Sequence, residues 1–134
     1  MCQFGARVVQ QLLYEFEDED FEVYVVWEPI LRTDKREVAV KATTFIPDSR
    51  AKHYWVDDHS VGNLFKDAIG LENEPAWDVY LLYPAGTKWG ESPPVPEYFQ
   101  HQLGGRLPPE KRLNADGMAE RIEALLEKLA ALQE

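Results

Sequence analysis

The sequence contains one cysteine, Cys2, and this is the only side chain in it that could support thiol chemistry. An internal disulfide is therefore excluded, and a cysteine-based structural zinc site is not expected. A Cys–His nucleophilic pair would need His53 or His101 beside Cys2, and nothing in the spacing of these residues indicates such a pair. On its own, Cys2 can form a mixed disulfide or an intermolecular dimer.

A second group of chemically active side chains lies near the middle of the chain. His53, Asp57, Asp58 and His59 are residues of the types that bind metal ions. Alternation along a strand places His53 and Asp57 on one face, whereas His59 falls beyond the end of the strand. We therefore expect these side chains to cap the strand end, and we predict no metal site and no other cofactor. The sequence also lacks the motifs of nucleotide binding and of α/β-hydrolase chemistry.

The composition is that of a folded domain and argues against several classes of function. The chain has 134 residues, 45% of them hydrophobic, and a net charge of −10, which predicts a single domain over residues 1–134. The acidic balance argues against a nucleic-acid partner, because phosphate binding needs a positive patch. No apolar run is long enough to span a membrane and no secretory signal is recognised, so the chain as written is expected in the cytoplasm.

Helices and strands alternate along the predicted structure. Apolar residues at helical spacing indicate the helices, and short apolar runs rich in β-branched and aromatic residues indicate the strands. The predicted helices are residues 2–17, 35–44, 61–69 and 117–132; the predicted strands are 21–27, 51–56 and 77–83, with a short return strand at 87–89. Residues 90–113 form a proline-rich loop, in which one helical turn is predicted at 98–103.

Several local patterns make more specific predictions. The almost wholly apolar segment 21–27 is typical of a strand buried on both faces of a parallel sheet. Asp34 followed by Glu37 resembles a capping box, and Gly70 is predicted to end the third helix. The acidic run 15–20 is interpreted as a solvated turn, with an acidic docking patch as the alternative. The apolar face of the last helix is expected to dock on the sheet, with pairing to a partner as the alternative.

The element order αβαβαβ(β)α predicts an α/β fold, with a mostly parallel sheet and helices on both of its faces. Ligands bind such sheets at the carboxyl ends of the strands. A groove near Trp27, Pro29 and Trp55, covered by the proline-rich loop, is therefore the predicted location of a site. For the tryptophans themselves, packing in the core and at strand ends is the favoured interpretation. A ligand-binding role is the alternative.

Four segments resemble those of thioredoxin-like proteins, in particular a bacterial thioredoxin-like group. They are Gly5-Ala6, Val23–Trp27, residues 53–55 (His-Tyr-Trp) and residues 75–83 (Pro-Ala-Trp-Asp-Val-Tyr-Leu-Leu-Tyr). The resemblance covers nearly the whole chain and implies a thioredoxin-like sandwich, a mixed sheet flanked by helices, that lacks the usual first strand. It places Cys2 at the second, resolving cysteine of a Cys-x-x-Cys motif, whose first cysteine would precede Met1.

The same resemblance implies a substrate groove. In that family a cis-proline faces the cysteines, and Pro75 matches its position, so the Glu74–Pro75 bond is expected to be cis. The alternative is a trans-proline at the entry of a strand. The residues expected to line the groove are Pro75, Trp27, Pro29, Trp55 and Trp77.

The function that the resemblance implies is thiol–disulfide exchange with a protein thiol or disulfide as partner. Exchange needs an attacking thiol and a resolving thiol. A chain with Cys2 alone is therefore expected to have lost this activity or to retain it incompletely. Two alternatives stay open: a non-catalytic thioredoxin-fold binding module that uses the same groove, and a homodimer paired through the sheet edge that the missing strand would leave exposed.

Overall fold

The computed structural model describes residues 3–133 of the chain. Within this range lie the helices α1 (Gln3–Glu15), α2 (Arg36–Ala42), α3 (Ser60–Phe65) and α4 (Ala115–Leu132), and the strands β1 (Val23–Trp27), β2 (Ala51–Trp55), β3 (Val79–Leu82) and β4 (Tyr98–His101). The protein is therefore mixed α/β, as predicted. The chain divides between Gly62 and Asn63 into two compact units.

In the first unit, β1 and β2 pair in parallel, with Val23 opposite Ala51 and Trp27 opposite Trp55. Helix α1 buries one apolar stripe, because its buried residues recur at helical spacing. Ala6 and Leu13 of this stripe form a core cluster with Ile46, and the alternate side chains of β1 pack against that cluster. A second cluster joins Trp27 to Ala39 and Ala42 of α2.

The opposite face of the β1–β2 pair is open, contrary to the prediction that β1 is buried on both faces. Tyr24 is 60% exposed, and Val26 and Tyr54 are also exposed. The run Phe-Glu-Val-Tyr-Val-Val-Trp is apolar at nearly every position, so its sequence alone does not show that only alternate residues are covered.

The start of α2 also differs from its prediction. The residue that precedes the helix is Lys35, which makes no side-chain capping hydrogen bond. The carboxylate of Asp34 accepts hydrogen bonds from the backbone amides of Ile30 and Leu31 instead, at 3.1 and 2.8 Å. Asp34 therefore closes the turn before the helix, a role that aspartate commonly takes in turns.

The third predicted helix is shorter than its apolar pattern suggests. Helix α3 ends at Phe65, and a 3₁₀ turn, Asp67–Ile69, continues the same apolar stripe. Gly70 then adopts the left-handed conformation, with a φ of 75°, which confirms the predicted stop.

In the second unit, β3 and β4 pair in antiparallel fashion, with Val79 opposite His101. The strands that the structure describes thus form one parallel and one antiparallel pair, where a mostly parallel sheet was predicted. The helical turn predicted at 98–103 is wrong, since Tyr98–His101 is a strand, and residues 87–89 form no strand. Trp89 instead packs on the ring of Tyr83, with centroids 4.6 Å apart.

Helix α4 is tied to β4 by a buried amide. The side chain of Gln100 accepts a hydrogen bond from the backbone amide of Asn114 at 2.8 Å and donates one to the hydroxyl of Tyr98 at 2.9 Å. Asn114 in turn caps the helix by accepting from the amide of Gly117. None of the helices that the structure describes is long and apolar enough to cross a membrane.

Candidate functional site

The paired tryptophans at the carboxyl ends of β1 and β2 belong to the core. Trp27 is buried, stacks on His53 with ring centroids 6.1 Å apart, and donates its indole N–H to His53 Nδ1 at 3.0 Å. His53 Nε2 lies 3.1 Å from the carbonyl oxygen of Ile46, and Trp55 packs against the cluster around Trp27. The polar atoms of Trp27 and His53 therefore form hydrogen bonds within the protein, and this strand end is part of the packed core.

Beyond the tryptophans, hydrogen bonds join the segment that follows β1 to the segment that follows β2. His59 Nε2 donates to the carbonyl oxygen of Pro29 at 2.8 Å. The carboxylate of Glu28 accepts from the amide of Gly62 at 2.8 Å. Burial raises the pKa of Glu28, and the hydrogen bonds from the backbone amides of Gly62 and Val61 oppose that rise. Among residues 3–133 no group of three or more His, Cys, Asp or Glu side chains could hold a metal ion.

Two of the predicted groove residues belong to the second unit. They are Pro75 and Trp77; the indole N–H of Trp77 donates to Glu74 at 3.3 Å and its ring packs on a core cluster that includes Leu103 and Leu107. The Glu74–Pro75 bond is trans, because the described part of the chain has no cis peptide bond. The chain bends just before this bond, where Asn73, a residue type that tolerates this conformation, has a positive φ. Cys2 lies outside the described residues.

The surface that the structure leaves open is the second face of the β1–β2 pair. We define the open face as Glu22, Tyr24, Val26, Lys52 and Tyr54, which project from the side away from the core. The rings of Tyr24 and Tyr54 stack with centroids 6.5 Å apart. Tyr54 is 50% exposed and Tyr24 60%, so the centre of this face is an exposed aromatic pair.

Charged groups hold one edge of the open face together. Lys52 Nζ lies 2.9 Å from Glu22 Oε1 and 5.5 Å from the ring centroid of Tyr24. The hydroxyl of Tyr24 donates to the other carboxylate oxygen of Glu22. The hydrogen bond from Tyr24, followed by the contacts with Lys52, lowers the pKa of Glu22, and Glu22 raises the pKa of Lys52. Near neutral pH, Glu22 is therefore ionised and Lys52 is protonated, as their ion pair requires. The hydroxyl of Tyr24 is neutral, because its hydrogen bond to Glu22 raises its pKa.

Arg50 fixes the acidic run beside this face. Its guanidinium donates to the carbonyl oxygens of Leu13, Phe16 and Glu19 at 2.6, 2.7 and 2.9 Å. Asp48 accepts from the same guanidinium at 3.0 and 2.9 Å. One side chain thus ties the end of α1 and the acidic loop to the start of β2, and the exposed carboxylates of this loop lead directly into β1.

Asp48 makes the first unit sensitive to acid. Hydrogen bonds from Arg50 lower the pKa of Asp48 from 3.8 to about 2. Folding therefore favours the ionised form, and the stabilisation is present above a pH of about 4 and is lost as the pH falls towards about 2. We expect Asp48→Asn to lower the free energy of unfolding near neutral pH and to have little effect at a pH of about 2.

Urea unfolding followed by circular dichroism at a series of pH values checks this expectation. The matched control is Asp57→Asn, which removes an exposed carboxylate in the same unit. A difference between wild type and Asp48→Asn that persists unchanged at the lowest pH would contradict the assignment.

The second unit contains an open depression of about 530 Å³ beside β4 and the start of α4. On its wall, the amide of Gln100 is engaged within the fold by its hydrogen bonds to the hydroxyl of Tyr98 and from the backbone amide of Asn114. The carboxylates at its rim are Glu110, Asp116 and Glu120. Nothing in this arrangement selects a ligand, so the open face of the first unit is the stronger candidate.

The fold and the candidate site together define a mixed α/β protein with an exposed aromatic face on a parallel strand pair. No family model matches the chain, and no solved structure matches it. A curated relative is a UPF0473 protein from Lacticaseibacillus casei (strain BL23), 32% identical over 76 residues, which are 56% of this chain and 62% of the relative. The chain thus spans less than two thirds of the length of this relative.

This comparison corrects the function that the thioredoxin-like resemblance implied. The relative is a UPF0473 protein, and this name indicates no thioredoxin-like redox function. The prediction of a thiol–disulfide exchange protein with incomplete activity is therefore wrong.

Proposed function

We propose that the protein is a binding module for a basic, extended segment of another protein, which it receives on the open face. The observation that carries this proposal is the exposed tyrosine pair on one face of a parallel strand pair. Parallel strands are ordinarily covered on both faces. An exposed aromatic patch on such strands is typical of an interaction surface, because tyrosine is enriched in protein interfaces.

Charge complementarity favours a basic partner. The last residue of α1 and the loop that leads into β1 contribute a run of exposed carboxylates: Glu15, Glu17, Asp18, Glu19, Asp20 and Glu22. Asp57 and Asp58 follow the carboxyl end of β2. The open face therefore has carboxylates at both ends, and a chain with a net charge of −10 attracts cationic segments over a distance.

The tyrosine rings add a contact that charge alone does not provide. The ammonium of Lys52 already lies over the ring of Tyr24, so a cation can reach this ring. Cation–π contacts at exposed sites contribute about 0.5–1 kcal/mol each. Loss of both rings should therefore weaken the binding of a partner that lies on this face, but not of one that is held only by the net charge.

The test is a binding titration of the full chain with a fluorescein-labelled peptide of alternating lysine and threonine, followed by fluorescence anisotropy. We expect saturable binding that weakens as salt is added, because exposed charges are screened. Tyr24→Thr combined with Tyr54→Thr keeps strand-forming residues and should weaken binding by about five- to thirtyfold, the equivalent of about 1–2 kcal/mol.

Two controls separate this surface from general attraction. Tyr14→Ala removes a tyrosine that is 72% exposed on α1, and it should leave the affinity unchanged. The same peptide with glutamate in place of lysine should not bind. Equal affinities of wild type and the double tyrosine variant would overturn the proposal, and so would failure of the lysine peptide to bind.

A further inference from the structure

Lys52 is the one cation of the open face, and it lies in contact with both groups that would recognise a basic partner. Its ammonium pairs with Glu22 at 2.9 Å and lies 5.5 Å from the ring centroid of Tyr24. Tyr24 lies opposite Lys52 in the parallel register, and Glu22 directly precedes β1. The carboxylate and the ring therefore form a small site for a cation, and the chain fills this site itself.

We infer that Glu22 and Tyr24 form a cation subsite of the open face, and that a lysine or arginine of the partner enters it by displacing Lys52. This inference rests on the proposed function. It assigns Lys52 the role of an internal competitor, which limits the affinity for basic segments.

The geometry makes displacement easy. The side chains of Lys52 and Glu22 are 47% and 51% exposed, and an ion pair with this exposure contributes little to stability. The lysine stem is flexible, so its ammonium can swing into water without moving the strand. The partner's cation then takes the same carboxylate and the same ring face, while the tyrosine hydroxyl keeps its hydrogen bond to Glu22.

The experiment repeats the titration with the alternating lysine and threonine peptide on four variants of the full chain, one of which combines Lys52→Gln with Tyr24→Thr. Lys52→Gln should strengthen binding by about threefold or more, because it empties the subsite. Lys41→Gln removes an exposed lysine of α2 and changes the net charge equally, so it measures the effect of charge alone and should change the affinity much less. Glu22→Gln should weaken binding.

The outcomes separate this inference from the proposed function. If wild type binds and the double tyrosine variant binds weakly, but Lys52→Gln equals Lys41→Gln or binds less tightly than wild type, the open face is the binding surface and the subsite is refuted. If the lysine peptide binds neither wild type nor Lys52→Gln, both proposals fail. Tighter binding by Lys52→Gln that disappears when Tyr24→Thr is added would support the subsite.

Discussion

Replacing Arg50 with methionine is expected to lower the free energy of unfolding by about 2–3 kcal/mol. The side chain of Arg50 is 17% exposed, and its guanidinium donates to three backbone carbonyls as well as to Asp48. Methionine keeps the apolar stem but leaves those acceptors without their charged donor, and hydrogen bonds to charged groups are among the stronger ones. The expected loss of unfolding free energy is smaller than the sum over all the broken hydrogen bonds, because water can reach some of the freed carbonyls.

A lysine at the same position should recover little of this stability. Its single ammonium cannot replace a planar fork that reaches the carbonyls of Leu13, Phe16 and Glu19 together. Arg50 also lies over the ring of Phe21, 4.9 Å from its centroid. The side chain therefore acts through geometry as much as through charge.

Urea unfolding of wild type, Arg50→Met and Arg50→Lys measures these differences. Arg36→Met is the matched control, because it removes an exposed arginine at the start of α2, and it should change stability by less than about 0.5 kcal/mol. Should Arg50→Met unfold at the same urea concentration as Arg36→Met, the anchoring role would be refuted.

The contacts of Arg50 show why this part of the site could not be predicted from the sequence. The residues it binds are separated from it by up to 37 positions, whereas periodicity and capping patterns describe neighbours along the chain. Asp48 lies only two residues away, but the pair carries no signal that distinguishes it from other charged pairs in loops.

The strands β1 to β3 were predictable because apolar β-branched and aromatic residues dominate them. Strand β4 was not, since the pairing with β3 stabilises Tyr98–His101 whatever its local pattern is. The open face was missed for a different reason: tyrosine and valine occur on covered and open positions alike. Exposure of Tyr24 and Tyr54 is decided by which elements cover the pair, and the sequence of β1 does not contain that information.

His101 illustrates the same limit and carries the last prediction. Its side chain is fully buried, with 0% exposure. Nδ1 accepts a hydrogen bond from the backbone amide of Leu103 at 3.0 Å, so the ring proton lies on Nε2, which donates to the carbonyl oxygen of Pro108 at 2.7 Å. The imidazole therefore joins the end of β4 to the loop before α4, and neither nitrogen is left for catalysis.

Replacing His101 with leucine should lower the free energy of unfolding by about 3 kcal/mol, because it leaves a buried amide and a buried carbonyl unpaired at about 1–3 kcal/mol each. His101→Asn keeps an acceptor near the position of Nδ1 and should lose less, since the bond to Leu103 can persist. Urea unfolding compares both variants with His59→Leu, an exposed histidine with a single bond to Pro29. If His101→Leu is no less stable than His59→Leu, the two buried hydrogen bonds do not hold this loop, and apolar packing around Leu103 and Leu107 must do so.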